Sequence, residues 1–353
     1  MIVIGIDPHK TTHTATAVDA ATNTDLGSIR IDADLGHYQR LMTWAQSWPT
    51  RKWAIENAEG LGHHLALWLL AIGETVLDVR PTATARVRQL SRGGRRKTDR
   101  IDAAAAACVA ALQGDARRIQ PETITDTLGI LDERRENLSN SRTRTVNQLH
   151  ALLRDLLAGG APTALSPAKA EAAIENFTPL TATDTQRLVL VRDLIYDLRR
   201  FDRQLRSNSA QAKKLLDEHG TRLREIDGIG EVVATRILAR TGTPSRFPTA
   251  AAYATYTGTA PVQIASAHTS HHRLSRFGDR KLNSAIHTVA ITQIRMPHTD
   301  GRAYYDKKIA EGKTPRAARR SLKRHLATHL WKIMLADHIR SAHDNSSAQL
   351  NSA

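Results

Sequence analysis

The sequence predicts an α/β domain at the N-terminus, a long helical hairpin after it and a mainly α C-terminal domain. Three observations predict this. Short apolar runs rich in β-branched residues alternate with helical patterns up to about residue 115. From Thr127 to about Gly220, apolar residues recur at three–four spacing between charged flanks. Beyond Gly220 the pattern shortens into brief helices separated by glycine- and proline-marked turns. The expected divisions are 1–115, 116–220 and 221–340, with a polar tail at 341–353 that lacks an apolar stripe and is expected to be disordered.

Strands are expected at Ile2–Asp7, His13–Asp19 and Leu26–Ile31, the last two separated by turn-forming Asn23 and Gly27. A helix follows around Leu35–Trp48 and stops at Pro49. Then come strand Lys52–Glu56, helix Leu61–Ile72 ended by Gly73, and strand Thr75–Val79. A further helix runs from Asp99 to about Leu112 through the strong helix-forming run Ala103–Ala107. Three meandering strands, then alternating helices and strands, is the order of a ribonuclease-H-like domain. The stretch Arg88–Lys97, with Gly93-Gly94 at its centre, reads as a loop ordered by bound phosphates.

In the hairpin, Leu131, Leu138, Leu149, Leu152, Leu153, Leu156 and Leu157 form one apolar side, and Leu188, Val191, Ile195, Leu198 and Leu205 the other. This narrow seam suits a coiled-coil hairpin used for self-association, against the plainer alternative of an ordinary packed bundle. Further on, Ile226-Asp227-Gly228-Ile229-Gly230 reads either as half of a DNA-binding helix-hairpin-helix or as a tight interhelix turn. Helices are expected at Thr249–Tyr256, Lys281–Met296 and Pro315–Leu335, with a polar loop from Gly258 to Gly278.

The chain has 353 residues, 41% apolar, which is enough for a real core, but only 4% aromatic, too few for extensive base stacking. Its net charge is +15, and the cations cluster between Arg80 and Arg100 and between Arg302 and Arg324. Clustered positive charge without a membrane-surface periodicity points to nucleic acid. Cys108 is the single cysteine, which excludes an internal disulfide and a thiolate zinc site. No run reaches the apolar length of a membrane span, and the opening apolar run is too short for a signal-peptide core, so a cytoplasmic protein is expected.

Asp7 ends the first strand and Glu56 ends a strand expected beside it. Asp99 and Asp102 lie at i and i+3 on one face of a helix start, where they serve either as caps or as ligands. The basic loop before them favours ligands, since two acids among phosphate-binding cations repel nucleic acid unless a cation sits between them. Four carboxylates suit two hard divalent cations, Mg²⁺ with Mn²⁺ as the alternative. Glu59 rivals Glu56, which is preferred because it terminates the apolar strand. His9 and Lys10 lie next to Asp7, within reach of a phosphate.

The segments GIDPHK at the start, WAIEN at Trp53–Asn57 and RKTDRIDA at Arg96–Ala103 resemble the DEDD transposases of insertion-sequence family one-hundred-ten, Piv-type invertases included. IDGIG, FPTAAAYATYTGTAP and SRFGDRKLN at Ser275–Asn283 are similar to that family's C-terminal domain. The likeness covers about 1–110 and 220–335. It implies a RuvC-like domain, a coiled-coil linker and a small helical domain, with Asp7, Glu56, Asp99 and Asp102 as metal ligands. It also implies a nucleophilic serine a few residues after a Gly-x-x-Pro segment; here Gly258-Thr259-Ala260-Pro261 is followed by Ser266, with Ser270 as the fallback. The family pattern has Ser-Gly where this chain has Ser266-Ala267.

The expected activity is transposition through a phosphoserine–DNA intermediate, guided by a structured RNA that pairs with target and donor DNA. The expected assembly is a dimer to tetramer, associated with the prokaryotic nucleoid. Lys10, Arg92, Arg95, Arg96, Lys97, Arg273, Arg276, Arg280, Lys281, Arg319, Arg320, Lys323 and Arg324 are the expected nucleic-acid contacts. His268, His271 and His272, beside Ser266, read as solvated loop residues rather than as bases. Two alternatives remain at this stage: a Holliday-junction-resolvase-like endonuclease that uses water, and a non-catalytic binding derivative.

Overall fold

The computed structural model describes residues 1–90, 98–112, 116–266, 269–274 and 278–350, with Leu90, 262–266, 269–274 and 344–350 described by their backbone alone. It divides into two compact units, Met1–Pro121 and Glu122–Ala353. The first contains β1 (Ile2–Pro8), β2 (Thr12–Asp19), β3 (Thr24–Asp32), α1 (Leu35–Ala45), β4 (Arg51–Glu56), α2 (His63–Ala71), β5 (Val76–Val79), α3 (Pro81–Leu90), α4 (Asp99–Leu112) and β6 (Arg117–Arg118). The strands form one sheet in the order β3-β2-β1-β4-β5-β6. β1, β2 and β3 are an antiparallel meander, whereas β4 runs parallel to both β1 and β5. This is the ribonuclease-H-like order.

Alternation along the strands sorts the sheet into two faces. Ile4, Ile6, Trp53 and Ile55 pack with Tyr38 and Leu41 of α1 and Leu65 and Leu69 of α2. Val3, Ala54 and Val79 pack on the opposite face with Ala106, Ala107 and Val109 of α4. The small residues let α4 lie almost on the sheet. A Cβ on Gly5 would come within 1.8 Å of the Ala103 carbonyl oxygen, so only glycine fits there.

The second unit contains α5 (Ile124–Leu156), α6 (Pro167–Ile174), α7 (Ala182–His219), α8 (Glu231–Thr241), α9 (Ala250–Tyr256), β7 (Pro261–Ser266), β8 (Thr269–Leu274), α10 (Arg280–Arg295), α11 (Asp300–Ala310) and α12 (Pro315–Leu350). Capping boxes at Thr123/Asp126 and Thr181/Asp184 start the two long helices. α5 and α7 run antiparallel: Arg142 meets Asp202 at 2.6 Å while Arg135 meets Ser209 at 2.7 Å. Leu149, Leu153, Val191, Ile195 and Leu198 fill their seam near the turn, where α6 adds Ala170 and Ile174. The other end joins a core made with α8, α9, α10 and α12.

Three expectations are corrected. The polar loop from Gly258 to Gly278 contains a two-stranded antiparallel hairpin, β7–β8. Its signal is a short alternation at Val262 and Ile264, hidden among polar neighbours. The tail from Ser341 is helical as far as Leu350, because no proline or glycine interrupts the continuation of α12. Finally, the expected loop from Arg88 begins inside a helix, α3.

Candidate metal centre

β1 and β4 are parallel neighbours with Ile6 opposite Ile55, so Asp7 and Glu56 come next in register. Alternation turns both toward the face covered by α4, whose first turn carries Asp99 and Asp102. The start of α4 is pinned by Arg100, which donates to Asp25 of β3 at 2.9 and 3.0 Å and whose carbonyl accepts from Thr16 at 3.2 Å. Local sequence therefore sets each carboxylate, and the close contact at Gly5 brings helix and sheet together.

Asp7 is only 6% exposed and Asp102 4%. Burial pushes the Asp7 carboxyl up to about 6; nearby His9 opposes the rise, and Glu56, Asp102 and Asp99 add to it by repulsion. The chain supplies its own basic side chains to the group. His9 Nε2 lies 3.8 Å from Asp7 and 3.3 Å from Asp99, and Arg30 lies 3.4 Å from Asp99. Arg88 donates to Asp102, and Thr84 donates to Glu56. Thr84 and Arg88 are one turn apart on α3, the helix that the sequence reading missed. Its signal was Pro81 at a helix N1 position.

Donor atoms of Asp7, His9 and Asp99 lie within 4.8 Å of one another. A buried carboxylate whose pKa is raised by desolvation and by three neighbouring acids fits a hard divalent cation, which would favour its ionised form. Glu59 is engaged elsewhere, accepting from Arg117 at 2.6 Å. In a second group, Asp32, Asp34 and His37, the two aspartates are exposed and His37 is half-buried, and Asp34 is the cap of α1.

Ser266 ends β7, opposite Thr269, and Ser270 lies opposite Ala265. For Ser266 and Arg273 only the backbone is described, and Arg92, Arg95, Arg96, Lys97, His268 and Arg276 lie outside the described residues. Lys10 is exposed beside the acidic group. Lys281 pairs with Glu136 at 2.7 Å. Arg280 begins α10, and Arg319, Arg320, Lys323 and Arg324 lie on α12. Lys323 differs from the other cations in being buried, 9% exposed. Its spacing to Leu326, Ala327 and Leu330 puts it on the apolar face of its helix, a signal present in the sequence.

A sheet of this order with a buried acidic group at the ends of its central strands defines a ribonuclease-H-like protein with a candidate cation site. Two family models match the chain: a DEDD transposase model of the IS110 type at residues 4–157, and one described as "Transposase IS116/IS110/IS902 family" at residues 220–306. Together they span more than half of its length. The chain belongs to this family of insertion-element transposases, enzymes that recombine DNA. It is 27% identical to the insertion element IS116 uncharacterized 44.8 kDa protein of Streptomyces clavuligerus, with 94% of each chain covered. It is 29% identical to the insertion element IS900 uncharacterized 42 kDa protein of Mycobacterium paratuberculosis, covering 81% of this chain and 83% of that one. Among solved structures, T. thermophilus RuvC in complex with a Holliday junction substrate is 17% identical, covering 34% of this chain and 99% of that one, with a TM-score of 0.28. At that score the fold assignment rests on the sheet order alone.

Proposed function

We propose that the chain cuts and rejoins DNA strands through an ester between DNA and Ser266, with a divalent cation held by Asp7, Glu56, Asp99 and Asp102. The observation that carries this reading is the gathering of four carboxylates, three of them around buried Asp7, whose pKa is pushed up to about 6. Oxygen donors of this kind favour Mg²⁺, with Mn²⁺ as the close alternative. Bound there, the cation would neutralise charge on the reacting phosphodiester.

The serine hydroxyl attacks phosphorus as its proton leaves, forming the Ser266 Oγ–P bond while the P–O bond to one DNA strand end breaks; that oxygen takes up a proton. In the reverse step the hydroxyl of a new strand end displaces Ser266, which regains its proton. The ester conserves bond energy, so rejoining needs no other energy source. His9, Arg30 and Arg88 hold the carboxylates in place while no cation is bound.

Scarce aromatics and abundant exposed cations support a protein that grips backbones and delegates sequence choice to a paired guide RNA. Self-association through the α5–α7 pair is supported by Val189, Leu190 and Tyr196, large apolar side chains left exposed on α7. Described helices include none long and apolar enough to cross a membrane.

The test is a denaturing gel of protein co-produced with its gene's non-coding flanks, mixed with labelled target DNA and Mg²⁺. A shifted, protease-sensitive band that disappears with Ser266→Ala is expected. Cleavage that survives Ser266→Ala and leaves free 5′-phosphate ends would assign a water-using, resolvase-like nuclease instead.

A further inference from the structure

The second unit holds a cleft of about 340 Å³ between the Gly258–Pro261 segment and α12. Lys313, Arg320, Ser321, Lys323 and Arg324 line it. Lys323 is the buried one, and its ammonium donates to the neutral amide oxygen of Asn283 at 2.6 Å. Burial pushes its pKa down with no carboxylate offsetting the effect. Arg324 Nη1 is also buried and has no hydrogen-bond partner among the described residues. No ion pair among the described residues involves Lys313, Arg320, Lys323 or Arg324, whereas Arg222, Arg236 and Arg240 of the same unit each hold an aspartate. Buried cations are ordinarily paired, because desolvation outweighs what a neutral acceptor returns. This cleft is short of an anion.

Its location says which anion. Asn283, the partner of Lys323, also donates to the Thr257 carbonyl at 2.8 Å, at the root of the hairpin. Gly278 closes that root, where a Cβ would come within 2.7 Å of Gly258 N and the Tyr256 carbonyl. Pro261 lines the cleft and begins β7, which ends at Ser266; this separation along the strand is about 17 Å. A phosphate seated in the cleft therefore lies several nucleotides from one at the serine.

We propose that the cleft between Gly258–Pro261 and the first turns of α12 seats a backbone phosphate of the DNA strand, away from the reacting bond, with Lys323 as its buried contact. Lys323 thus acts as a positioning residue, linking the seated strand through Asn283 to the root of the hairpin. The assignment rests on the reading of the chain as a DNA recombinase, but its test involves no chemistry. Full-length protein is studied in EDTA on a Ser266→Ala background, so failure of the covalent mechanism leaves the result intact.

Two probes are used: inorganic phosphate, followed by thermal melting against chloride at equal ionic strength, and a short single-stranded DNA, followed by fluorescence anisotropy. Phosphate is expected to raise the melting temperature of the parent and not of Lys323→Met. The oligonucleotide should bind Lys323→Met roughly tenfold more weakly, with a salt-dependence slope smaller by about one. Lys323→Arg should restore much of the affinity. Arg320→Gln, which lines the same cleft without touching Asn283, should weaken binding in the same direction should Lys323→Met fold poorly. An unchanged phosphate shift and unchanged DNA affinity in both charge-removing variants would overturn the site. Loss of the phosphate shift with unchanged DNA affinity would overturn the strand and leave a free-anion site.

Discussion

The acidic group of the first unit and the basic cleft of the second are opposites in charge, and they handle burial differently. Asp7 is raised to about 6, yet His9, Arg30 and Arg88 stand against its neighbours Asp99 and Asp102. Lys323 is lowered by burial and meets only an amide. The first unit carries its own substitute cations, so it can fold and wait for a metal. The second leaves its charge open to whatever anion arrives. The difference teaches that an uncompensated buried charge points to a ligand more directly than a cluster that neutralises itself.

The largest effect should come from Gly5→Ala. The new Cβ would collide with the Ala103 carbonyl and push α4 off the sheet, separating Asp7 from Asp99 and Asp102. Loss of more than about 3 kcal/mol in denaturant unfolding is expected, the upper range for overpacking. A loss below about 1 kcal/mol would mean that close helix–sheet contact does not build the site.

Removing the internal cations sharpens the contrast. Arg88→Ala leaves Asp102 buried without its guanidinium, at a cost of about 3 kcal/mol in EDTA. Saturating Mg²⁺ should recover part of that loss in a thermal melt; equal losses with and without Mg²⁺ would break the idea that Arg88 substitutes for a metal. Arg30→Ala removes an exposed partner of Asp99 and should cost at most about 1 kcal/mol in either condition.

The smallest effect is one of pH. The folded pKa of Asp7 lies above its ordinary value, so the folded state binds the proton more tightly than the unfolded chain. In the absence of metal, this carboxyl favours folding most below about pH 4 and loses that contribution as pH rises toward and through 6. Metal binding must displace the proton, so calorimetric Mg²⁺ affinity should fall as pH drops below 6. Asp7→Asn should flatten the melting-temperature profile across that window; an unchanged profile would assign the buried proton elsewhere.

Much of the first unit was legible because its rules are local. An apolar strand ending in an acid, its parallel partner ending the same way, and two acids at i and i+3 before an alanine run put Asp7, Glu56, Asp99 and Asp102 at the ends of their elements by local pattern, and the family resemblance grouped them. α3 was not read: its stripe of Ala83, Val87 and Leu90 is short and set among threonines and arginines, so Thr84 and Arg88 emerged only with the fold. The β7–β8 hairpin was lost among serine, threonine and histidine, whose alternation has no apolar contrast. Lys323 reads as one cation among many until its place on the face of Leu326 and Leu330 is counted. Its lack of a carboxylate depends on Asn283, forty residues away, which no local pattern reveals.

The most direct test of the covalent mechanism is to locate the attachment. Protein incubated with target DNA and Mg²⁺ is digested with nuclease and trypsin, and the peptide spanning Phe247–Arg273 is fragmented by mass spectrometry. The account predicts a nucleotide mass on Ser266. Attachment to Ser270, or DNA cleavage with no modified serine at all, would contradict it.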